Sequence, residues 1–349
     1  MPRSDPGPGS APLVSVIVVN YNGVDALTDC LDALRTDTGS TSAEVLVVDN
    51  ASSDGSDSIA EAAAQQDESV RLLRSPTNRG YAGAVNLALA EARGSYVGVL
   101  NMDVVVSPGW LDPLVSFLEA TPGAGVACPL ILLESDPGRI NAAGQDVHVT
   151  GLGFNRMLDQ PRERAGTTPS RVGGLHGASF LIRRDLLDSI GGWNEGGFLY
   201  HEDVELSWLL QLAGMDIFCV PASTVSHDYH LTMFPHKLFL LERNRWSMLL
   251  TDTRRSTRLA LSPLLALTEL MIWGYSLLRG PSFLRAKIDS YRWISGNRER
   301  IHERRAFIDS LRLRSDRAVL RRLRWAYPVD QFLTLGRERG ESARDRTGT

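Results

Sequence analysis

The stretch Tyr96–Val106, YVGVLNMDVVV, constrains the chain more than any other. Its apolar run, Tyr96–Leu100, follows the turn pair Gly94–Ser95 and has the length of a strand buried on both faces. The run ends in Asn101–Met102–Asp103, and apolar residues then resume. An unpaired carboxylate buried there would cost several kcal/mol, so Asp103 belongs at an accessible strand end. The carboxyl ends of parallel strands are where open α/β sheets bind ligands. A loop aspartate capping a helix near Trp110 is the plainer alternative.

Three more segments repeat the pattern. Val14–Asn20 (VSVIVVN) is a β-branched run ending in the turn Tyr21–Asn22–Gly23, and Leu27, Cys30, Leu31 and Leu34 follow at helical spacing. Val45–Val48 ends in Asp49–Asn50, with helix-capping chemistry at Ser52, Ser53 and Asp54. Val70–Leu73 precedes the turn Asn78–Arg79–Gly80–Tyr81 and a helix over Ala82–Ala92. Alternating strands and helices predict an α/β fold, a mostly parallel Rossmann-like sheet with helices on both faces. Polar groups then gather along one sheet edge: Asn20, Tyr21 and Asn22, Asp49 and Asn50, Asn101 and Asp103. Asp49 suits a ribose hydroxyl or a base imide, and equally a turn aspartate bonding its own backbone. No Gly-x-Gly-x-x-Gly and no Walker loop follows the first strand.

Beyond Pro108 the alternation loosens. Val126–Leu133 is apolar, residues 136–160 read as loops and irregular sheet, and Gly173, Gly174 and Gly177 precede another apolar strand. A second polar cluster lies in Gly191–Glu205, GGWNEGGFLYHEDVE, where His201–Glu202–Asp203 leads into Val204, Trp208 and Leu212 at helical spacing. Acids at a helix N-terminus complement its dipole by about 0.3–1 kcal/mol, so they need not be functional. His227, after an apolar strand, matters only if it faces Asp103.

The formal charge of −4 hides an asymmetry. Residues 1–236 carry 13 basic and 29 acidic side chains, a balance of −16; residues 237–349 carry 24 and 12, a balance of +12. Such a division points to two parts, the basic one directed at a membrane or a polyphosphate. Nucleic acid is not expected, because acids interleave with the basic residues. Cys30, Cys128 and Cys219 are far apart and lack metal-site spacing, which fits a reducing cytosol. The opening residues lack the apolar core of a signal peptide. Leu259–Leu278 has the length of a membrane span, but Glu269 lies at its middle and Pro263 interrupts it. Ser262, Glu269 and Ser276 recur every seven residues, which predicts an amphipathic helix lying on a membrane or packed on the catalytic part.

Taken in order, VSVIVVNYNG (14–23), VLVVDNASSDGS (45–56), NRGYAGAVN (78–86), VLNMDV (99–104), GGWNEGGFLYHEDVEL (191–206) and His227 resemble the family 2 glycosyltransferases of GT-A fold, with rhamnosyltransferase-like features. The resemblance covers about residues 12–236. It implies an inverting transfer from a nucleoside diphosphate sugar to a glycan, glycolipid or small-molecule acceptor during assembly of surface polysaccharide or glycolipid. It implies nucleotide-sugar contacts at Asn20, Tyr21, Asn22, Asp49, Asn50, Arg79, Gly80, Asn101 and Met102. It further implies a divalent ion, Mn²⁺ or Mg²⁺, at Asp103 and His227, and acceptor chemistry at Glu202 and Asp203. Asp203 is expected as the general base. The family's usual Asp-x-Asp reads Asn-x-Asp here; Asn101 brings no charge, and the form leans the donor towards a deoxysugar such as dTDP-rhamnose, with a UDP-sugar as the other donor the resemblance implies.

The expected organisation is a disordered tail over 1–11, a GT-A domain over 12–236, a basic helical region over 237–336 in peripheral membrane contact, and a tail over 337–349. The expected location is cytoplasmic, at the inner face of the plasma membrane. Two rivals stand beside this reading. A sugar nucleotidyltransferase would need a basic glycine-rich loop after the first strand, which NYNGVD is not. An inactive nucleotide-binding scaffold would be expected to lack the acids that this chain retains.

Overall fold

The computed structural model describes residues 11–229, 232–328 and 331. The tails expected at 1–11 and 337–349 lie outside the described residues, apart from Ala11.

Strands with apolar side chains on both faces need cover on both sides, and the fold provides it. Strands β1 (Val14–Asn20), β2 (Ala43–Asp49), β3 (Val70–Arg74) and β4 (Tyr96–Asn101) lie parallel in the order β3-β2-β1-β4. Their crossovers are α1 (Leu27–Arg35), α2 (Ser56–Gln66) and α3 (Gly80–Glu91). Alternate side chains leave opposite faces of a strand. Ile17, Val19, Leu46 and Val48 therefore enter one core with α3, while Val16, Val18, Val45 and Val47 enter the other with α1.

The second half of the sheet is mixed. After β5 (Val104–Val106) and α4 (Leu111–Ala120) come β6 (Ala124–Leu133), β7 (Ile140–Ala142), the hairpin β8 (Gln145–Val147) and β9 (Gly153–Asn155), β10 (Ser170–Val172) and β11 (Ser179–Arg183). Helices α5 (Arg184–Ile190) and α6 (Glu202–Leu212) precede the long strand β12 (Asp216–His227). The path runs β10-β12-β6-β11-β4, with β11 antiparallel to both β4 and β6. β5 and β7 pair beside this path, with β12 and β6 respectively. Placing β12 beside β5 sets His227 opposite Val104, one residue from Asp103.

Helices α7 (Pro235–Asp252), α8 (Arg255–Ala260), α9 (Ser262–Arg279), α10 (Pro281–Gly296), α11 (Arg298–Leu311) and α12 (Asp316–Leu320) follow. α7 packs on α6 and carries α10 and α11 on its other side. Its centre is charged and buried. Arg245 bonds Glu242 at 2.7 Å and Glu269 of α9 at 2.5 Å; Lys287 of α10 bonds Glu269 at 2.8 Å and also pairs with Glu242. Two acids and two bases cancel, so this interior holds no net charge. Glu269, which falls at the middle of the apolar stretch in sequence, is therefore a tie to α7 and α10. Among the described residues no helix is long and apolar enough to cross a membrane.

Much of the basic excess is also met internally. Arg314 and Arg322 bond Asp216 at 2.7 and 3.0 Å, Arg304 bonds Glu205 at 3.2 Å, and Arg324 pairs with Asp146.

Candidate active site

The carboxyl ends of β1, β2 and β4 open into a cleft of about 230 Å³. Tyr21, Met102, Phe198 and Leu199 supply apolar walls; Asn50, Asn78, Asn101 and Asp103 supply polar groups. Asn50 organises one wall. Its amide donates to Asn78 Oδ1 (3.0 Å) and the Gly80 carbonyl (3.2 Å), and its Oδ1 accepts from the Arg79 N–H (2.9 Å). Gly80 has φ +70, and a Cβ there would lie 2.1 Å from the Phe198 carbonyl oxygen. Only glycine allows that approach.

The remaining sequence-predicted contacts stand behind this wall. Asn20 is fully buried and donates to Asp49 Oδ1 (3.1 Å), Ser52 Oγ (3.1 Å) and Ser56 Oγ (2.9 Å). Asp49 is buried against it. Asn22 accepts from the Ser53 N–H at 2.8 Å, and the Arg79 guanidinium turns to Glu195 at 3.3 Å.

Asp103 and His227 come together: Nε2 lies 3.4 Å from Asp103 Oδ1. The other ring nitrogen, Nδ1, bonds Asn141 Oδ1 at 3.0 Å. With Nδ1–H donated to the amide oxygen, Nε2 turns its lone pair to the aspartate. Asp103 Oδ1 is buried with no hydrogen bond. A partnerless carboxylate oxygen beside an imidazole tied at its far nitrogen fits a divalent cation. Among the described residues no third His, Cys, Asp or Glu completes a cluster, so further ligands would come from phosphate or water. His176, 6.0 Å from His227 between ring centroids, accepts the Ala178 N–H and is pushed down to about 3 by burial and by His227.

A second cleft of about 290 Å³ holds Glu202 and Asp203, together with Tyr200, Tyr229, Met233 and Lys237. Its rim is strained: Phe198, Tyr200 and His201 have φ of 61, 63 and 72, a region that non-glycine residues seldom adopt. Asn244 of α7 pins it, donating to the carbonyls of Gly197 (2.9 Å), Leu199 (3.1 Å) and Tyr200 (2.7 Å). His201 bonds the Gly151 carbonyl through Nε2 at 2.7 Å, and burial pushes it down to about 4. It anchors the loop as a neutral ring.

The two acids differ in their donors. Asp203 accepts from Gln145 Nε2 (2.5 Å), the Val204 N–H (2.8 Å) and the Gly177 N–H. Glu202 Oε2 is buried without a partner. Burial raises both, and the neighbouring Asp203 charge raises Glu202 further. Hydrogen bonds to a carboxylate favour its ionised form, so the shared charge rests on Asp203 and the shared proton on Glu202. Tyr81 stands between the two clefts. Its hydroxyl donates to the Gly177 carbonyl at 2.8 Å and is raised by burial and by Glu202, Asp203 and Asp103.

Gln145, Asn141, Tyr81 and Asn244 thus complete the site, and the sequence reading assigned a role to none of them. Asn244 left a trace: the run Glu242–Arg245 places four polar residues inside a helix, more than an exposed face needs.

The model for glycosyl transferase family 2 matches residues 15–191. An N-acetylglucosaminyl-diphospho-decaprenol L-rhamnosyltransferase of Mycobacterium tuberculosis is 33% identical over 211 residues, 54% of this chain and 67% of that protein. Among solved structures, a mannosyltransferase from Pyrobaculum calidifontis in complex with GDP-Man and Mn²⁺ has a TM-score of 0.53 at 19% identity, covering 90% of this chain and 88% of the other. GalNAc-T7 with UDP, GalNAc and Mn²⁺ has a TM-score of 0.57 at 19% identity, covering 70% of this chain and 48% of the other.

Proposed function

The chain belongs to glycosyl transferase family 2 and is a glycosyltransferase of GT-A fold, and we propose that it works by a metal-dependent, inverting transfer to a lipid-linked acceptor during cell-surface glycan or glycolipid assembly. The observation that carries the reading is the partnerless Asp103 Oδ1 facing His227 in one cleft, with Asp203 held by Gln145 in the next. The first cleft takes the donor. Tyr21 and Phe198 offer flat apolar surface to a base, and Asn78 and Asn101 offer amides to ribose and sugar hydroxyls, with Asn50 bracing Asn78. Asn20, Asp49 and Asn22 act on the donor through the wall that they brace. Asp103 and His227 hold Mn²⁺ or Mg²⁺, which when bound supplies charge to the leaving diphosphate.

The second cleft takes the acceptor. Inversion requires the acceptor hydroxyl to attack opposite the diphosphate, and that hydroxyl needs a base during attack. Asp203 is that base: Gln145 and two backbone N–H groups fix its carboxylate and oppose the upward push of burial. Glu202, protonated, donates to an acceptor or donor hydroxyl. The mycobacterial relative's name describes a lipid-linked diphosphate sugar; an acceptor of that class and a dTDP-rhamnose or UDP-sugar donor fit this chain, which would work at the cytoplasmic face of the plasma membrane. Residues 12–236 form the catalytic part, and the helices of 237–328 support it.

Asp203→Asn keeps the shape and removes the basicity. Turnover should fall by roughly two to four orders of magnitude, with donor affinity measured by calorimetry nearly unchanged. Normal turnover in Asp203→Asn together with its loss in Glu202→Gln would exchange the two roles.

A further inference from the structure

Helix α9 is inside out. Its polar seam faces the protein from Thr268 onward, while Ser262 at its start is exposed: Thr268 and Ser276 are buried, and Glu269 bonds Arg245 (2.5 Å), Trp246 Nε1 (2.8 Å) and Lys287 (2.8 Å). Its outward face is apolar. Leu270 and Leu277 are 71% and 63% exposed, and Leu267 lies on the same side. Leu259 of α8, 74% exposed, and Ile288 of α10 are also exposed, on helices that pack against α9. Half of the twelve exposed large apolar side chains among the described residues lie on these three helices. The helix cannot roll to hide its leucines, because rotation would strip Glu269 from Arg245 and Lys287 and leave buried charges unpaired.

The charge around this face has one sign. Between residues 254 and 296, apart from the inward-turned Glu269, the exposed or half-exposed ionic groups are Arg254, Arg255, Arg258, Arg279, Arg285 and Arg292, against a single acid, Asp289. The exposed leucines of α9, spread over about 16 Å of the helix and flanked in sequence by arginines, match the boundary between acyl chains and anionic headgroups.

This face also leads to the site. Arg279 at the end of α9 donates to the Met233 carbonyl at 3.3 Å, and Met233 lines the cleft of Glu202 and Asp203. Phe234, exposed, continues the apolar surface at that mouth.

We propose that the outward face of α8, α9 and α10 seats the protein on an anionic lipid bilayer, with the mouth of the Asp203 cleft at the membrane surface. The proposal deepens the lipid-linked acceptor reading, yet its test needs no sugar. The full chain is floated with vesicles of phosphatidylglycerol and phosphatidylcholine, and with phosphatidylcholine alone. It should partition to the anionic vesicles, less so in high salt. Leu259→Glu/Leu270→Glu/Leu277→Glu, checked for folding by circular dichroism, should partition about tenfold or more weakly. In the separate variant Leu270→Trp, the fluorescence should shift to the blue on adding anionic vesicles. Absence of wild-type partition, equal partition of the triple variant, or an unshifted emission spectrum of Leu270→Trp overturns the proposal. So does a wild-type dimer that the triple variant dissolves without any vesicle binding, which would make a second copy the occupant. Vesicle binding without transfer to any lipid-linked acceptor would refute the acceptor reading and leave the surface standing.

Discussion

The strand-end clefts and the helical region after residue 236 treat buried charge in opposite ways. In the clefts, Asp103 Oδ1 has no donor. Behind them, Glu242 and Glu269 meet Arg245 and Lys287 on every side. Charge left incomplete inside a protein is expensive and persists where something else is to complete it. Charge closed on itself holds helices together. The first pattern marks chemistry and the second marks architecture, although both are built from the same side chains.

The sharpest break in that contrast comes at Asp103. Removing the divalent ion with excess chelator, or changing Asp103→Ala, should lower transfer by about a thousandfold or more, the worth of several kcal/mol of charge stabilisation. Asp103→Ala should also lose Mn²⁺ binding in titration calorimetry. Full transfer in chelator would move Asp103 from the first class of charge to the second.

The architectural class is tested by stability. Glu242→Gln leaves Arg245 and Lys287 with one buried counter-charge fewer and should cost about 3–5 kcal/mol in urea unfolding. The half-exposed pair Arg74–Glu61, at 2.8 Å, is the control; Glu61→Gln should cost no more than about 1 kcal/mol. Equal costs would remove the distinction.

Asn244 joins the two regions. Asn244→Ala frees the carbonyls of Gly197, Leu199 and Tyr200 and lets the strained rim relax, so kcat should fall by about a hundredfold while donor affinity changes little. If the midpoint of unfolding falls instead and kcat holds, Asn244 belongs to architecture alone.

The smallest effect is a pH slope. Burial and the facing Glu205 charge raise Asp252 well above the ordinary carboxylate range, against the opposing pull of Arg304, Arg312 and the Thr251 hydroxyl. The folded chain then keeps a proton that the unfolded chain releases above about pH 4. The native state binds more protons in that window, so stability falls as pH rises through it. Asp252→Asn removes this contribution. Its melting midpoints at about pH 5 and about pH 8 should lie closer together than the wild type's, the remaining slope coming from Glu202. An unchanged gap would show that Asp252 is ionised in the fold.

The alternation of β-branched runs with helical spacing was enough to assign β1, β2, β4 and their crossovers, because a strand buried on both faces writes its environment into consecutive residues. It also placed Asn101, Met102 and Asp103 at a strand end, where polarity interrupts an apolar run. The antiparallel insertion of β11 beside β4 left no such mark, since a buried strand reads alike in either direction. The seven-residue recurrence of Ser262, Glu269 and Ser276 was legible, but the direction it faces was not. A period says that a helix has two faces; it does not say which one meets protein. Arg245 and Lys287, distant in sequence, turn Glu269 inward and the leucines out.

By itself, then, the sequence determined the parallel half of the sheet, the strand-end polar groups and the family, all of them carried by residues a few positions apart. Only the tertiary structure decided that His227 faces Asp103 with Asn141 behind it, that Gln145 and Gly177 bond Asp203, and that Asn244 holds the rim. Those relations depend on distances between side chains that chain connectivity leaves free until the elements pack.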